Sequence, residues 1–241
     1  MVGPKERLII ALDFDTAADA VAMCRAVGDQ ACFYKVGLQL FLSAGRDVVD
    51  QVKNLGNHIF LDLKLHDIPN TVAGACREIV RVGVSMTTLH TMGGADMMRE
   101  AATATKRAAE EFGVEQPILL GVTMLTSLNE QRAGEIGVAG SISEQVTRLA
   151  ILAKTSGLDG VVASPHEVEG LRCELGDDFI IVTPGIRSAA DAVHDQKRVM
   201  SALDAIAAGS SYLVVGRPVT EADNPAKAAA SIIAQIRQAS A

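Results

Sequence analysis

The sequence predicts an α/β fold, a single (β/α)8 barrel (TIM barrel) over residues 1–241. Three observations carry this. Eight short apolar runs recur, at 8–14, 32–38, 58–64, 85–90, 117–125, 160–165, 179–185 and 212–218. Each is almost continuously apolar, as a parallel strand covered on both faces must be, and stretches of helical periodicity lie between them. The 241 residues match the ~250 that one such barrel takes up. Finally, no linker, low-complexity tract or break in composition divides the chain. A doubly wound open sheet is the alternative, but its Gly-rich GxGxxG turn is missing after the first run, which ends LDFDTAAD.

The elements follow in order. After the first run comes an amphipathic stretch, 16–28, with Thr16 placed to cap it. The fourth run leads into the Ala-rich stretch 95–113 and the fifth into 143–157, capped by Ser141 or Ser143. The last helix opens at Asn224-Pro225, an N-cap followed by a proline in the first turn. Gly28, Gly56, Gly83, Gly113, Gly157 and Gly176 stand where these helices should stop.

Composition removes several classes of function. Hydrophobic residues make up 49% and charged residues 21%, enough apolar material for a large core and against disorder. No apolar run approaches the ~18 residues of a membrane span. The first apolar stretch is too short for a signal peptide, so the cytoplasm is the expected location. Net charge is −7 and aromatics are 3% with no Trp, which argues against a nucleic-acid binder. Cys24, Cys32, Cys76 and Cys173 are scattered without a CxxC pair and read as free thiols. No spacing of the HxxxH kind suggests a metal site.

In a barrel, chemistry sits at the C-terminal ends of the strands. Those ends carry Asp13 and Asp15, then Lys35, then DLKLHDIPNT with Asp62, Lys64, His66 and Asp67. His90 follows, then Thr123, Thr126 and Ser127, then Ser164 and His166, then Arg187 in TPGIR and Arg217 in VGRP. Asp62 and Lys64 are two apart and share a face, while Leu61, Leu63 and Leu65 take the other. Charges pointing into a barrel need partners. Two carboxylates (Asp13, Asp62) and two ammoniums (Lys35, Lys64) supply one another; a solvated ion-pair network at the rim is the plainer reading. The loops after strands 7 and 8 often bind phosphate. Here they carry PGIR and VGRP. Gly216 lets backbone approach an anion, Arg217 offers a fork of donors, and Gln196 lies within reach. His58 reads as structural, His166 as a helix cap, and the methionines as core filler.

These motifs resemble orotidine 5′-phosphate decarboxylases, in the compact bacterial form. The resemblance rests on DLKLHDIPNT at 62–71, LD at 12–13, KVG at 35–37, TMLTS at 123–127, TPGIR at 183–187, DQ at 195–196 and VGRP at 215–218, in order over nearly the whole chain. It implies a carboxy-lyase that converts orotidine 5′-monophosphate to UMP and CO₂, the last step of de novo pyrimidine synthesis, with no metal or organic cofactor. It implies a homodimer with shared active sites. Lys35, Asp62, Lys64 and the partner subunit's Asp67 would form the charged array, with Lys64 protonating C6. Asp13 and Lys35 would hold the ribose, Thr126 and Ser127 the pyrimidine, and Arg187, Gln196, Gly216 and Arg217 the phosphate. Ile68 and Thr71 would come from the partner. Residues 139–143 and 187–197 are the candidate lids.

Two other readings remain beside it. A 3-hexulose-6-phosphate synthase-like aldolase shares the acidic-x-Lys strand but uses Mg²⁺ and lacks the HDIPNT continuation. A non-catalytic nucleotide-binding barrel has no need of a desolvated lysine beside two carboxylates.

Overall fold

The computed structural model describes residues 3–186 and 200–240. The expected barrel is present. Its strands are β1 (Leu8–Ala11), β2 (Phe33–Gly37), β3 (His58–Leu65), β4 (Met86–His90), β5 (Ile118–Val122), β6 (Gly160–Val162), β7 (Ile180–Pro184) and β8 (Tyr212–Val215). They pair in parallel in sequence order, and β8 closes onto β1 through the register Ile9↔Val214. The surrounding helices are α1 (Ala17–Val27), α2 (Leu38–Lys53), α3 (Pro69–Val82), α4 (Gly94–Phe112), α5 (Glu130–Glu135), α6 (Ile142–Thr155), α7 (Val168–Leu175), α8 (Ala202–Ala207), α9 (Arg217–Thr220) and α10 (Pro225–Ala239).

Strand parity divides the apolar residues between two places. Ile9, Ala11, Phe33, Phe60, Met86, Leu120, Val182, Tyr212 and Val214 point inward and fill the barrel as one cluster. Their sequence neighbours, among them Leu8, Ile10, Tyr34, Ile59 and Leu61, point outward and pack on the helices. This is why the strand runs are apolar without a break: both faces are covered. Each fully buried Leu, Ile or Phe contributes about 1.5–3 kcal/mol.

The caps follow sequence chemistry. Thr16 accepts from the backbone N–H of Asp19 at the start of α1. Ser141, not Ser143, opens α6 in a reciprocal capping box with Glu144. Asn224 caps α10 ahead of Pro225. Helices α2 and α6 end slightly before the expected glycines, at Asn54 and Ser156. Several strands are shorter than their apolar runs. The runs 117–125 and 212–218 leave the ladder after Val122 and Val215, and their last residues form the rim of the barrel mouth.

Candidate active site

The inward row of β1–β4 is apolar low in the barrel and charged at its mouth. Above Phe33 on β2 stands Lys35; above Phe60 on β3 stands Asp62; just beyond Ala11 on β1 comes Asp13. These three and Lys64 form a chain of alternating charge. Asp13 Oδ1 lies 3.2 Å from Lys35 Nζ, Lys35 Nζ lies 3.7 Å from Asp62 Oδ2, and Lys64 Nζ donates to Asp62 Oδ2 at 2.8 Å. Asp62 is 8% exposed; the Lys35 and Lys64 side chains are 12% and 31% exposed. Buried ions are costly unless neutralised, and here each has a counter-ion. Lys64, the more open of the two ammoniums, faces the mouth. Gly37, the last residue of β2, leaves room for this chain: a Cβ there would come within 3.0 Å of Lys35 Nζ and 3.5 Å of Asp13 Oδ1. Asp15, the other carboxylate at the end of the first run, is held apart by Gln39 Nε2 at 2.6 Å.

Lys64 does not reach this position by simple alternation. Its φ is 52°, the one positive value outside glycine among the described residues. The β3–β4 register passes from Leu61↔Thr87 to Leu65↔Leu89, so four steps on β3 span two on β4. The strand bulges at the charged residues. A non-glycine in the left-handed region costs of order 1–3 kcal/mol and persists only where the surroundings impose it. Two threonines of β4 bridge the gap. Thr87 Oγ1 donates to the carbonyl of Leu61 at 2.9 Å, and Thr88 Oγ1 accepts from the backbone N–H of Lys64 at 3.0 Å.

His90, at the end of β4, backs the array. Its ring centroid is 5.4 Å from that of His66. Burial lowers its pKa first, with the nearby His66 and Lys64 adding to the effect and Asp62 opposing it. His66 lies just past the end of β3 and is exposed.

The remaining predicted residues sit around the mouth but are not bound into the array. Gly216, at the end of β8, is close: a Cβ on it would stand 3.9 Å from Asp13 Oδ2. Arg217 follows it, exposed and without an ion pair among the described residues. Thr126 and Ser127 are exposed between β5 and α5. Asp67 accepts from the N–H of Ile68 at 2.6 Å and forms no ion pair with Lys35 or Lys64. Ile68 is 66% exposed at the start of α3, and Thr71 is exposed one turn on. Arg187 and Gln196 lie outside the described residues, as does the whole of the 187–197 lid segment.

The model of the Orotidine 5'-phosphate decarboxylase / HUMPS family matches residues 6–232. The chain belongs to this family. Orotidine 5′-phosphate decarboxylase of Hydrogenovibrio crunogenus is 49% identical over 224 residues, 93% of each chain. The enzyme of that name from Moorella thermoacetica is 45% identical over 233 residues, covering 96% of this chain and 92% of its own. Among solved structures, orotidine 5′-phosphate decarboxylase from Lactobacillus acidophilus superposes with a TM-score of 0.85 at 39% identity, covering 96% of this chain and 99% of that one. The family's fold is thus the barrel described above. Within that frame, sequence reasoning missed Thr88. It shares inward parity with Met86 and His90, which was the available signal.

Proposed function

We propose that the Asp13–Lys35–Asp62–Lys64 chain is the machinery that decarboxylates orotidine 5′-monophosphate to UMP and CO₂ in pyrimidine biosynthesis. The observation that carries this is the half-open Lys64 ammonium, fixed against a buried carboxylate at the barrel mouth. When CO₂ leaves, the C6–carboxylate bond breaks and its electron pair stays on C6, in the ring plane and without an adjacent π acceptor. A fixed positive charge beside C6 stabilises that carbanion more than it stabilises the substrate, which is what lowers the barrier. Lys64 Nζ then gives its proton to C6 and regains one from solvent. Asp62, near the departing carboxylate, holds Lys64 in place. The reading needs no metal or organic cofactor.

Asp13 and Lys35 contact the ribose hydroxyls in this reading, and Thr126 and Ser127 the pyrimidine edge. Gly216 and Arg217, with Arg187 and Gln196, take the phosphate. The phosphate is remote from the bond broken, so its binding energy serves closure of the mouth and exclusion of water. The enzyme acts in the cytoplasm on this small-molecule substrate, not on nucleic acid. Among the described residues no helix is long and apolar enough to cross a membrane.

The mouth is completed by a second copy of the chain. Leu38 (50% exposed), Leu42 (81%), Ile68 (66%) and Met92 (43%) follow β2, β3 and β4, on the same end as the array. Large exposed apolar side chains gathered on one face suit an isologous two-fold contact. Asp67, which makes no ion pair with its own Lys35 or Lys64, enters the partner's site in this reading together with Ile68 and Thr71.

Loss of orotidine 5′-monophosphate ultraviolet absorbance on mixing tests the reaction, and it should persist in EDTA; a Mg²⁺-dependent aldolase of this fold would show neither. The shared site is tested by mixing Lys64→Ala and Asp67→Asn proteins. After subunit exchange, half the dimers are mixed and each holds one intact site, so activity should return to about one quarter of wild type. No recovery after demonstrated exchange would place Asp67 in its own subunit's site.

A further inference from the structure

We infer that Thr88 is a positioning residue for the decarboxylation, a side chain that locks both the Asp62 carboxylate and the Lys64 backbone. The inference rests on the reading that Asp62 and Lys64 carry the chemistry. Thr88 is fully buried, 0% exposed, and inward-facing in the middle of β4. Its hydroxyl donates to Asp62 Oδ1 at 2.9 Å and accepts from the Lys64 N–H at 3.0 Å. One hydroxyl supplies one proton and two lone pairs, so both bonds form at once with sensible roles.

The position of Thr88 explains why this arrangement is needed. The β3 bulge places it opposite the stretch between Leu61 and Leu65, where the regular ladder is interrupted. There the N–H of Lys64 has no ladder carbonyl, and a buried unpaired N–H is costly. The hydroxyl replaces the missing carbonyl and so helps hold Lys64 at φ 52°. The same oxygen, through its proton, ties down the Asp62 oxygen that neither ammonium engages; both lysines address Oδ2. Asp62 is therefore fixed at both oxygens, and the ammonium that reaches C6 is fixed through its backbone and its counter-ion together. Preorganised charge is effective only if it does not have to reorient during the reaction.

The test compares Thr88→Val, which keeps the shape and loses both bonds, with Thr88→Ser, which keeps both bonds and loses a methyl. A misplacement of catalytic groups by less than an ångström lowers turnover strongly, so kcat of Thr88→Val should fall about 30-fold. KM and the affinity for UMP should stay within about threefold, and Thr88→Ser should retain kcat within about threefold of wild type. UMP titration counts the folded sites in each protein. If Thr88→Val does not fold, Thr88→Ala replaces it against the same Ser variant, with the same expectation. Turnover of Thr88→Val within twofold of wild type overturns the inference, and so does an equal fall in the Val and Ser variants, which would mark a packing role. A Lys64→Ala protein that still turned over would instead overturn the underlying reading of the array. The two failures are therefore distinct.

Discussion

The two ends of the barrel both hold half-buried cations, and they treat them differently. At the end where β1, β7 and β8 begin, Arg7 and Arg172 spend their donors on the chain itself. Arg7 bonds the carbonyls of Ser211 and Ser210 at 2.9 and 2.6 Å and the Ser240 hydroxyl at 2.9 Å. Arg172, on α7, bonds the carbonyls of Gly209, Gly176 and Phe179 at 2.7, 2.9 and 2.5 Å and the Ser211 hydroxyl at 2.8 Å. At the mouth, Lys35 and Lys64 face carboxylates. An ammonium has three donors, and Lys64 Nζ uses one of them, on Asp62. An arginine consumed by backbone carbonyls ties turns together. A lysine held by a carboxylate with donors to spare is available to a ligand.

The largest expected effect breaks the mouth and spares the other end. Lys64→Ala should lower kcat by at least ~10⁴-fold, about 5.5 kcal/mol of barrier, while thermal unfolding shows a folded protein. Turnover within tenfold of wild type would mean that the charged array is a structural network like its arginine counterparts. The reverse variant is Arg172→Ala. It strands several carbonyls near the starts of β7 and β8 and should cost about 2–4 kcal/mol of stability, read by urea denaturation, with kcat little changed below the transition. Lysine at this position should not rescue, since it lacks the planar fork. A loss of kcat without loss of stability would erase the distinction between the ends.

Legibility in the sequence follows the same division. Asp62 and Lys64 stand out because charges interrupt an apolar run; parity predicts that they meet, although the structure brings them together through a bulge at Lys64 rather than by simple alternation. The arginines of the other end do not stand out, because their partners are carbonyls, which every residue carries. Thr88 is hard to single out for a different reason, since inward parity with Met86 and His90 is its one signal. Threonine is an ordinary strand residue, and the bulge that gives it work depends on pairing between β3 and β4, which no single strand encodes. Helices α5, α8 and α9 are too short to show a period. Which subunit's site Asp67 would serve is a property of two chains, so the sequence supplies that expectation only through resemblance.

Arg217 sharpens the comparison within the mouth. It is exposed and makes no ion pair among the described residues, whereas Lys35 and Lys64 are paired before any substrate arrives. Arg217 is solvated, whereas the array gathers around the buried Asp62, whose charge needs partners. Arg217→Ala should raise KM for the monophosphate about 10–100-fold, the loss of one or two charge-assisted hydrogen bonds, and leave the slow reaction of the bare nucleoside unchanged. Equal losses on both substrates would place Arg217 in the fold or the chemistry.

The smallest effect concerns His90, beside the array. Burial, His66 and Lys64 hold its pKa below the ordinary histidine value of 6.5, against the opposing pull of Asp62. The unfolded chain therefore takes up this proton more readily than the folded one. Stability from this group is fully present above about pH 6.5 and falls as the pH drops from there towards the folded value. Between pH 7.5 and 5.5 the wild type should lose more stability than His90→Gln, compared by urea midpoints at each pH. Changing His66 to Gln removes one cause of the His90 shift and should narrow the difference, leaving the part that burial and Lys64 supply. An equal acid loss in wild type and His90→Gln would mean that the imidazole charges as easily at the mouth as in water, and that the surroundings of Lys64 are far wetter than the burial of Asp62 and Thr88 implies.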